Sequence, residues 1–352
     1  MSLAVLEHVE LLGVSACVPS LEIDNSDFVK NLLGETALSI VDSTGIKKRR
    51  IVQEGVTSLD LCIRAAETLI GELNISYDEI GGIVFVTATP DHLLPNNSSL
   101  CQEILGLHKS VAAFDVNLAC SGYPYGLWLS GLMAKSLNKK VLLLDGQSHS
   151  QYVSKEDPAT SVLFGDAGSA SIIGESSRKS AWFFAFETDG SKRDVLSINS
   201  GGYRNRVSSN SLEYKVMPDG GKRRDIDLYM NGLEVFAFAS TSVPKLLSEL
   251  LRQTNTTPDE LDYLILHQAN LYMMKRIAKR LKIDMSKVPV SLDKFGNTSS
   301  TSIPLTIVSE LRNTIVERNI LAAMEGFGAG LSTGAALIDI GPCVCPEVVI
   351  YE

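Results

Sequence analysis

Apolar runs rich in β-branched residues alternate with helical periodicities along most of the chain. Residues 82–89, closed by Pro90, read as a buried strand, and 111–116 and 141–145 are two more. Between those two, residues 121–137 are apolar almost all round, with Leu127, Leu132 and Leu137 among them, which predicts a buried helix. Strand, helix, strand at this spacing is a βαβ unit and predicts a largely parallel sheet covered on both faces. The second half reads similarly. Thr257-Pro258-Asp259-Glu260 has the chemistry of a helix start, with a capping Thr, Pro at the first position and acids in the first turn. Leu264-Ile265-Leu266 predicts a strand, and Leu271, Met274, Ala278 and Leu281 recur at helical spacing. Residues 288–290 suggest another short strand, 302–312 a helix, and 335–340 and 348–351 closing strands. A polar stretch at 175–180 separates strand-like runs at 169–173 and 182–186, while 189–225, with Gly201-Gly202, Gly220-Gly221 and Lys222-Arg223-Arg224, predicts long loops. The pattern suggests two similar α/β halves, 1–178 and 179–352, packed as one body.

Composition narrows the function classes. With 352 residues, 45% of them hydrophobic, the chain can bury a large core. A net charge of −9 argues against the basic face of a nucleic-acid binder. No run approaches the roughly 20 apolar residues that span a bilayer. The apolar start contains Glu7 and Glu10 and has no Lys or Arg before it, which is not a secretory signal, so a cytoplasmic location is expected. Six cysteines are too sparse for a disulfide scaffold, and Cys343 and Cys345 lack a nearby His, so no metal is expected.

Four places carry candidate chemistry. In residues 114–122 a strand ends, small residues turn the chain and a helix starts at Cys120-Ser121-Gly122. A cysteine at a helix N-terminus is placed for thiolate chemistry, although Cys120 read alone also fits a packing residue. His267-Gln268-Ala269-Asn270 follows a strand, where open α/β sheets place ligand sites, and a hydrogen-bonded structural histidine is the alternative. Gly296-Asn297-Thr298-Ser299 precedes a helix and reads as a site or as a cap and turn. Gly326-Phe327-Gly328-Ala329-Gly330 lets backbone N–H groups approach a substrate, and it lacks the Lys and Ser/Thr spacing of a phosphate loop. His8, His92, His108 and His149 are expected to be structural or solvated.

Taken together, these segments resemble the β-ketoacyl-acyl carrier protein synthase III family of thiolase-like condensing enzymes. The resemblance covers nearly the whole chain. It includes Thr44-Gly45-Ile46-Lys47-Lys48-Arg49, Pro95, the Cys120 segment, Phe164-Gly165-Asp166, the stretch from Asn231 to Phe236, and the His267, Asn297 and Gly326–Gly330 motifs. It implies an internally duplicated, five-layered αβαβα fold, usually in a homodimer. It implies that Cys120 takes an acyl group from a thioester and that His267 and Asn297 hold the malonyl thioester carbonyl. It further implies decarboxylative condensation to a 3-oxoacyl thioester, with backbone N–H groups of Cys120 and Ala329 as the second oxyanion hole. No cofactor is implied. Acyl carrier protein is the implied partner and acyl-CoA a possible donor. Lys279 and Arg280 match a basic docking pair, Lys275 shares their helix, and the position of Leu94 reaches a partner subunit's acyl pocket.

The chain also departs from the family. Many members carry a tryptophan before the Thr-Gly-Ile motif and an arginine before the Phe-Gly-Asp motif, which sandwich the adenine of coenzyme A. Residues 38–43 and 156–160 contain neither, and Tyr272 stands where arginine is frequent. These departures point to a carrier-bound or otherwise unusual acyl donor rather than acetyl-CoA. Transfer of the acyl group to an alcohol or amine is the alternative activity. A silent scaffold and a cysteine peptidase fit less of the chain.

Overall fold

In a computed structural model the protein is described over residues 3–34, 38–218 and 220–352. Two mixed sheets carry the fold. The first runs in the order Val349–Tyr351, Val9–Pro19, Ala167–Glu175, Lys140–Gln147, Ile80–Val86, Ala112–Val116. The second runs Leu3–Glu7, Ala181–Thr188, Ser332–Ile340, Ile320–Gly328, Tyr263–Leu266. The chain ends cross over. Leu3–Glu7 pairs with Ala181–Thr188 in the second sheet, and Val349–Tyr351 pairs with Val9–Pro19 in the first.

Helices complete five layers. Ser58–Leu73 covers the outer face of the first sheet. Gly122–Leu137 and Ser302–Glu317 lie between the sheets. Gly232–Gln253 covers the second sheet, and Leu271–Leu281 packs beside it. Position explains the patterning. Gly122–Leu137 packs on both sheets and is therefore apolar almost all round. Leu271–Leu281 has one apolar stripe, Met273, Met274, Ile277, Ala278 and Leu281, and turns Lys275, Arg276, Lys279 and Arg280 to solvent.

Three expectations change. The sheets are mixed rather than largely parallel. Ile80–Val86 has two parallel neighbours, but Lys140–Gln147 pairs antiparallel with Ala167–Glu175. Ile320–Gly328 also turns straight back through 329–331 into an antiparallel strand, because so short a link cannot make a parallel crossover. Thr257 begins a turn, not a helix. Glu260 accepts from the Thr257 N–H and hydroxyl at 2.6 and 2.7 Å, but the strand at Tyr263 follows too soon for a helix to propagate. Residues 288–290 join no sheet. The basic cluster Lys222-Arg223-Arg224 is paired, with Glu156, Asp157 and Asp227 respectively.

Candidate active site

Cys120 lies between the end of Ala112–Val116 and the start of Gly122–Leu137, and it is buried. Glycines make room for it. A Cβ at Gly328 would stand 2.7 Å from the Cys120 Cβ and 3.2 Å from its Sγ, and one at Gly326 would stand 2.6 Å from the Cys120 carbonyl oxygen. The Gly-Phe-Gly spacing therefore lets strand Ile320–Gly328 pass directly against the cysteine, with Ala329 next in the chain. The expected thiolate is not the resting form. Burial pushes the Cys120 thiol up to about 11, against the opposing pull of Ser299 and the cysteine's own backbone. At this helix start, desolvation outweighs the dipole.

Ser299 joins the candidate residues. Its hydroxyl lies 3.2 Å from Cys120 Sγ, and its N–H donates to Asn297 Oδ1 at 2.9 Å. Because Oδ1 is occupied by a donor, the amide orientation of Asn297 is fixed and Nδ2 remains to donate. His267 follows strand Tyr263–Leu266, and its Nδ1 lies 2.9 Å from Ser302 Oγ. Burial pulls the imidazole down to about 4, opposed by a hydrogen bond with the Ser299 backbone, so the ring is neutral near pH 7. Phe327 meets it edge-on, with ring centroids 5.3 Å apart. Cys120, His267 and Asn297 thus converge from three distant segments on one buried centre.

The segment after Asn297 is anchored from below. Ser300 Oγ and Thr301 Oγ1 donate to Asp145 Oδ1 at 2.6 and 2.9 Å. Gln147 Nε2 donates to Ser300 Oγ at 2.8 Å and to the Leu118 carbonyl at 3.1 Å, which ties the same strand end to the cysteine loop. Asp145 is fully buried, and burial pushes its carboxyl up to about 7 against those hydroxyl donors. The Phe164-Gly165-Asp166 motif anchors Asn297 from the side. The Gly165 N–H donates to the Asn297 carbonyl at 3.0 Å, and the Asn297 N–H donates to the Leu163 carbonyl at 2.9 Å. A Cβ at Gly165 would lie 2.1 Å from the Phe295 carbonyl oxygen, so only glycine fits. Asp166 accepts from the Val52 and Ser150 N–H groups at 2.9 and 3.0 Å.

Other expected residues lie apart from this centre. Leu94 is 84% exposed. Lys275, Lys279 and Arg280 form an exposed basic face, and no carboxylate among the described residues pairs with them. Sequence reasoning gave no role to Ser299, Ser302 or Asp145. Ser299 stood within a quoted motif, but its left-handed backbone, with φ of 57°, had no sequence signal. His149, expected to be structural or solvated, is buried beside Phe164.

Two family models match the chain: 3-oxoacyl-[acyl-carrier-protein (ACP)] synthase III over residues 114–190, and its C-terminal model over 251–340. The β-ketoacyl-[acyl-carrier-protein] synthase III of Porphyra purpurea is 33% identical over 332 residues, 94% of this chain and 98% of the relative. The chain belongs to the 3-oxoacyl-[acyl-carrier-protein] synthase III family. The synthase III of Clostridioides difficile is 31% identical over 93% of this chain and 97% of its own length. The crystal structure of the 3-oxoacyl-(acyl-carrier protein) synthase from Burkholderia xenovorans superposes with a TM-score of 0.93 at 33% identity, covering 99% of both chains. The five-layered architecture is therefore the thiolase-like fold of synthase III enzymes. The two matched stretches enclose Cys120, and His267, Asn297 and Ala329, respectively.

Proposed function

We propose that the protein condenses an acyl thioester with malonyl-carrier protein to give a 3-oxoacyl thioester. The observation that carries this reading is the meeting of Cys120, Asn297 and His267 around Ser299. Cys120 Sγ attacks the acyl thioester carbonyl. Its proton leaves with the departing carrier or coenzyme thiol, which suits a resting thiol held near 11. Backbone N–H groups of Cys120 and Ala329 receive the oxyanion. Malonyl-carrier then binds with its thioester oxygen between Asn297 Nδ2 and His267 Nε2, while Ser302 holds Nδ1. Loss of carbon dioxide puts negative charge on that oxygen, and two fixed neutral donors stabilise the enolate without repelling the malonyl carboxylate. The enolate carbon attacks the acyl-Cys120 carbonyl, a carbon–carbon bond forms, and Cys120 leaves to take up a proton again. Transfer to an alcohol or amine is not favoured, since it has no use for a donor pair that acts on an enolate.

The exposed face of Lys275, Lys279 and Arg280 supports docking of an acidic carrier protein on an enzyme whose net charge is −9. Leu93 and Leu94, 70% and 84% exposed, support a homodimer in which Leu94 enters the partner's acyl pocket. No helix among the described residues is long and apolar enough to cross a membrane, and we assign the protein to the cytoplasm. No cofactor enters the reaction.

Intact-mass measurement with acyl-carrier and acyl-CoA donors tests the first half-reaction, and carbon dioxide release from malonyl-carrier tests the second. The expected outcome is an adduct that disappears in Cys120→Ala, and carbon dioxide formed in step with 3-oxoacyl product. Adducts without carbon dioxide would overturn condensation.

A further inference from the structure

The turn that follows strand Lys140–Gln147 carries a side chain that the mechanism does not use. His149 is 3% exposed, and neither ring nitrogen has a hydrogen-bond partner among the described residues; Nδ1 is fully enclosed. Its flanking residues are satisfied: the Ser148 N–H donates to Thr89 Oγ1 at 3.1 Å, and the Ser150 N–H donates to Asp166 at 3.0 Å. A histidine retained only for packing would be expected to find a partner, because a buried polar group without one costs free energy. The ring is stacked on Phe164 at 5.3 Å and tilted against Tyr152 at 4.9 Å.

This turn belongs to the wall of the catalytic centre. The backbone of Phe164 bridges to that of Asn297, so His149 stacks on a residue that is itself paired with Asn297. His149 is close enough to His267 for that imidazole to disfavour its protonation, although burial is the larger reason that His149 is held down to about 3. Tyr152 lies within electrostatic reach of Cys120 in the same way. A neutral imidazole offers one N–H donor and one acceptor nitrogen.

We propose that His149 is a specificity-determining residue that pairs with a neutral oxygen substituent on the acyl group, a hydroxyl being the best match. A hydroxyl both donates and accepts, as the neutral ring does. A plain alkyl chain leaves both nitrogens unpaired. A carboxylate would bring an unpaired charge against a buried neutral ring. The proposal rests on Cys120 being the residue that carries the acyl group.

The test compares acyl loading of Cys120, followed by intact mass, from butanoyl and 3-hydroxybutanoyl thioesters, hexanoyl and 3-hydroxyhexanoyl thioesters, and the terminally hydroxylated acids of the same lengths. Wild type is expected to load at least one hydroxylated donor roughly tenfold or more faster than its alkyl counterpart, since a site built to bind a hydroxyl discriminates against its absence. His149→Leu and His149→Phe should remove that preference while still loading alkyl donors. Phe keeps an aromatic ring against Phe164 without ring nitrogens, and Leu removes the nitrogens without a larger ring. A hydroxyl-to-alkyl ratio unchanged in both variants, or no hydroxyl preference in wild type, overturns the proposal and leaves the condensation reading standing. A uniform fall for every donor, accompanied by a lower melting temperature, means a packing role and also overturns it. No adduct from any donor in wild type overturns the acyl-Cys120 reading and this proposal with it.

Discussion

Asn297 and His149 flank the same buried centre, yet their side chains are held in opposite ways. In the first, Asn297 Oδ1 accepts from the Ser299 N–H, both backbone polar groups of Asn297 are bonded to Leu163 and Gly165, and the Ser300, Thr301 and Ser302 hydroxyls have partners, while the Thr298 hydroxyl has none among the described residues. In the second, aromatic stacking holds the rings, and the imidazole nitrogens have no partner among the described residues. Donors that must meet a developing charge gain from being fixed beforehand. A wall that must accept a substrate needs its polar atoms uncommitted. The Asn297 amide is held by its partners, whereas the His149 imidazole keeps its nitrogens uncommitted.

The largest expected break in this contrast comes from the donors themselves. Asn297→Ala and His267→Ala should each slow condensation by about 10²–10³-fold. Both should leave acyl loading of Cys120 much less affected, as read by intact mass beside product formation. An equal loss in loading would mean that the pair acts on the first half-reaction instead.

Ser302→Ala should have a smaller effect. It removes the hydroxyl that anchors His267 Nδ1 and accepts from the Gln268 N–H at 3.2 Å. A loss of about 1 kcal/mol in positioning corresponds to roughly a fivefold fall in condensation rate. Ser302→Thr, which keeps the hydroxyl, should recover most of it. Failure of the threonine variant to exceed the alanine variant would sever Ser302 from the orientation of His267.

The smallest effect on rate and the clearest on pH dependence should come from Asp145→Asn. The Asp145 carboxyl is raised from 3.8 to about 7 by burial, so the folded protein binds more protons than the unfolded chain between those values. Its contribution to stability is therefore present at low pH and lost as pH rises through about 7. Asparagine carries no such dependence. The stability difference, variant minus wild type, from denaturant midpoints should grow from pH 4 to pH 8. A difference flat with pH would show that Asp145 is ionised in the folded protein at all these values. The difference isolates Asp145, because His267, His149 and Asp166 contribute equally to both proteins and cancel.

Much of this molecule was legible in its sequence because the signals were local. The apolar run at 82–89, the all-round apolar helix at 121–137 and the striped helix after His267 appear as Ile80–Val86, Gly122–Leu137 and Leu271–Leu281. The motif wording around Cys120, His267, Asn297 and Gly326–Gly330 was enough to place the chain in its family. Tertiary structure decided the rest. The Thr257 capping chemistry closed a turn because a strand had to begin at Tyr263. Cys120 sits at a helix start as read, but the depth of its burial, which raises the thiol to about 11, exists only once two sheets enclose it. Ser299 gained its place between cysteine and asparagine from a backbone conformation that no neighbouring residue announces. His149, one histidine among several in the sequence, gained its neighbours from Phe164 and His267, far away along the chain. Propensity and motif are properties of adjacent residues. Protonation, desolvation and unpaired polar atoms belong to groups brought together by folding.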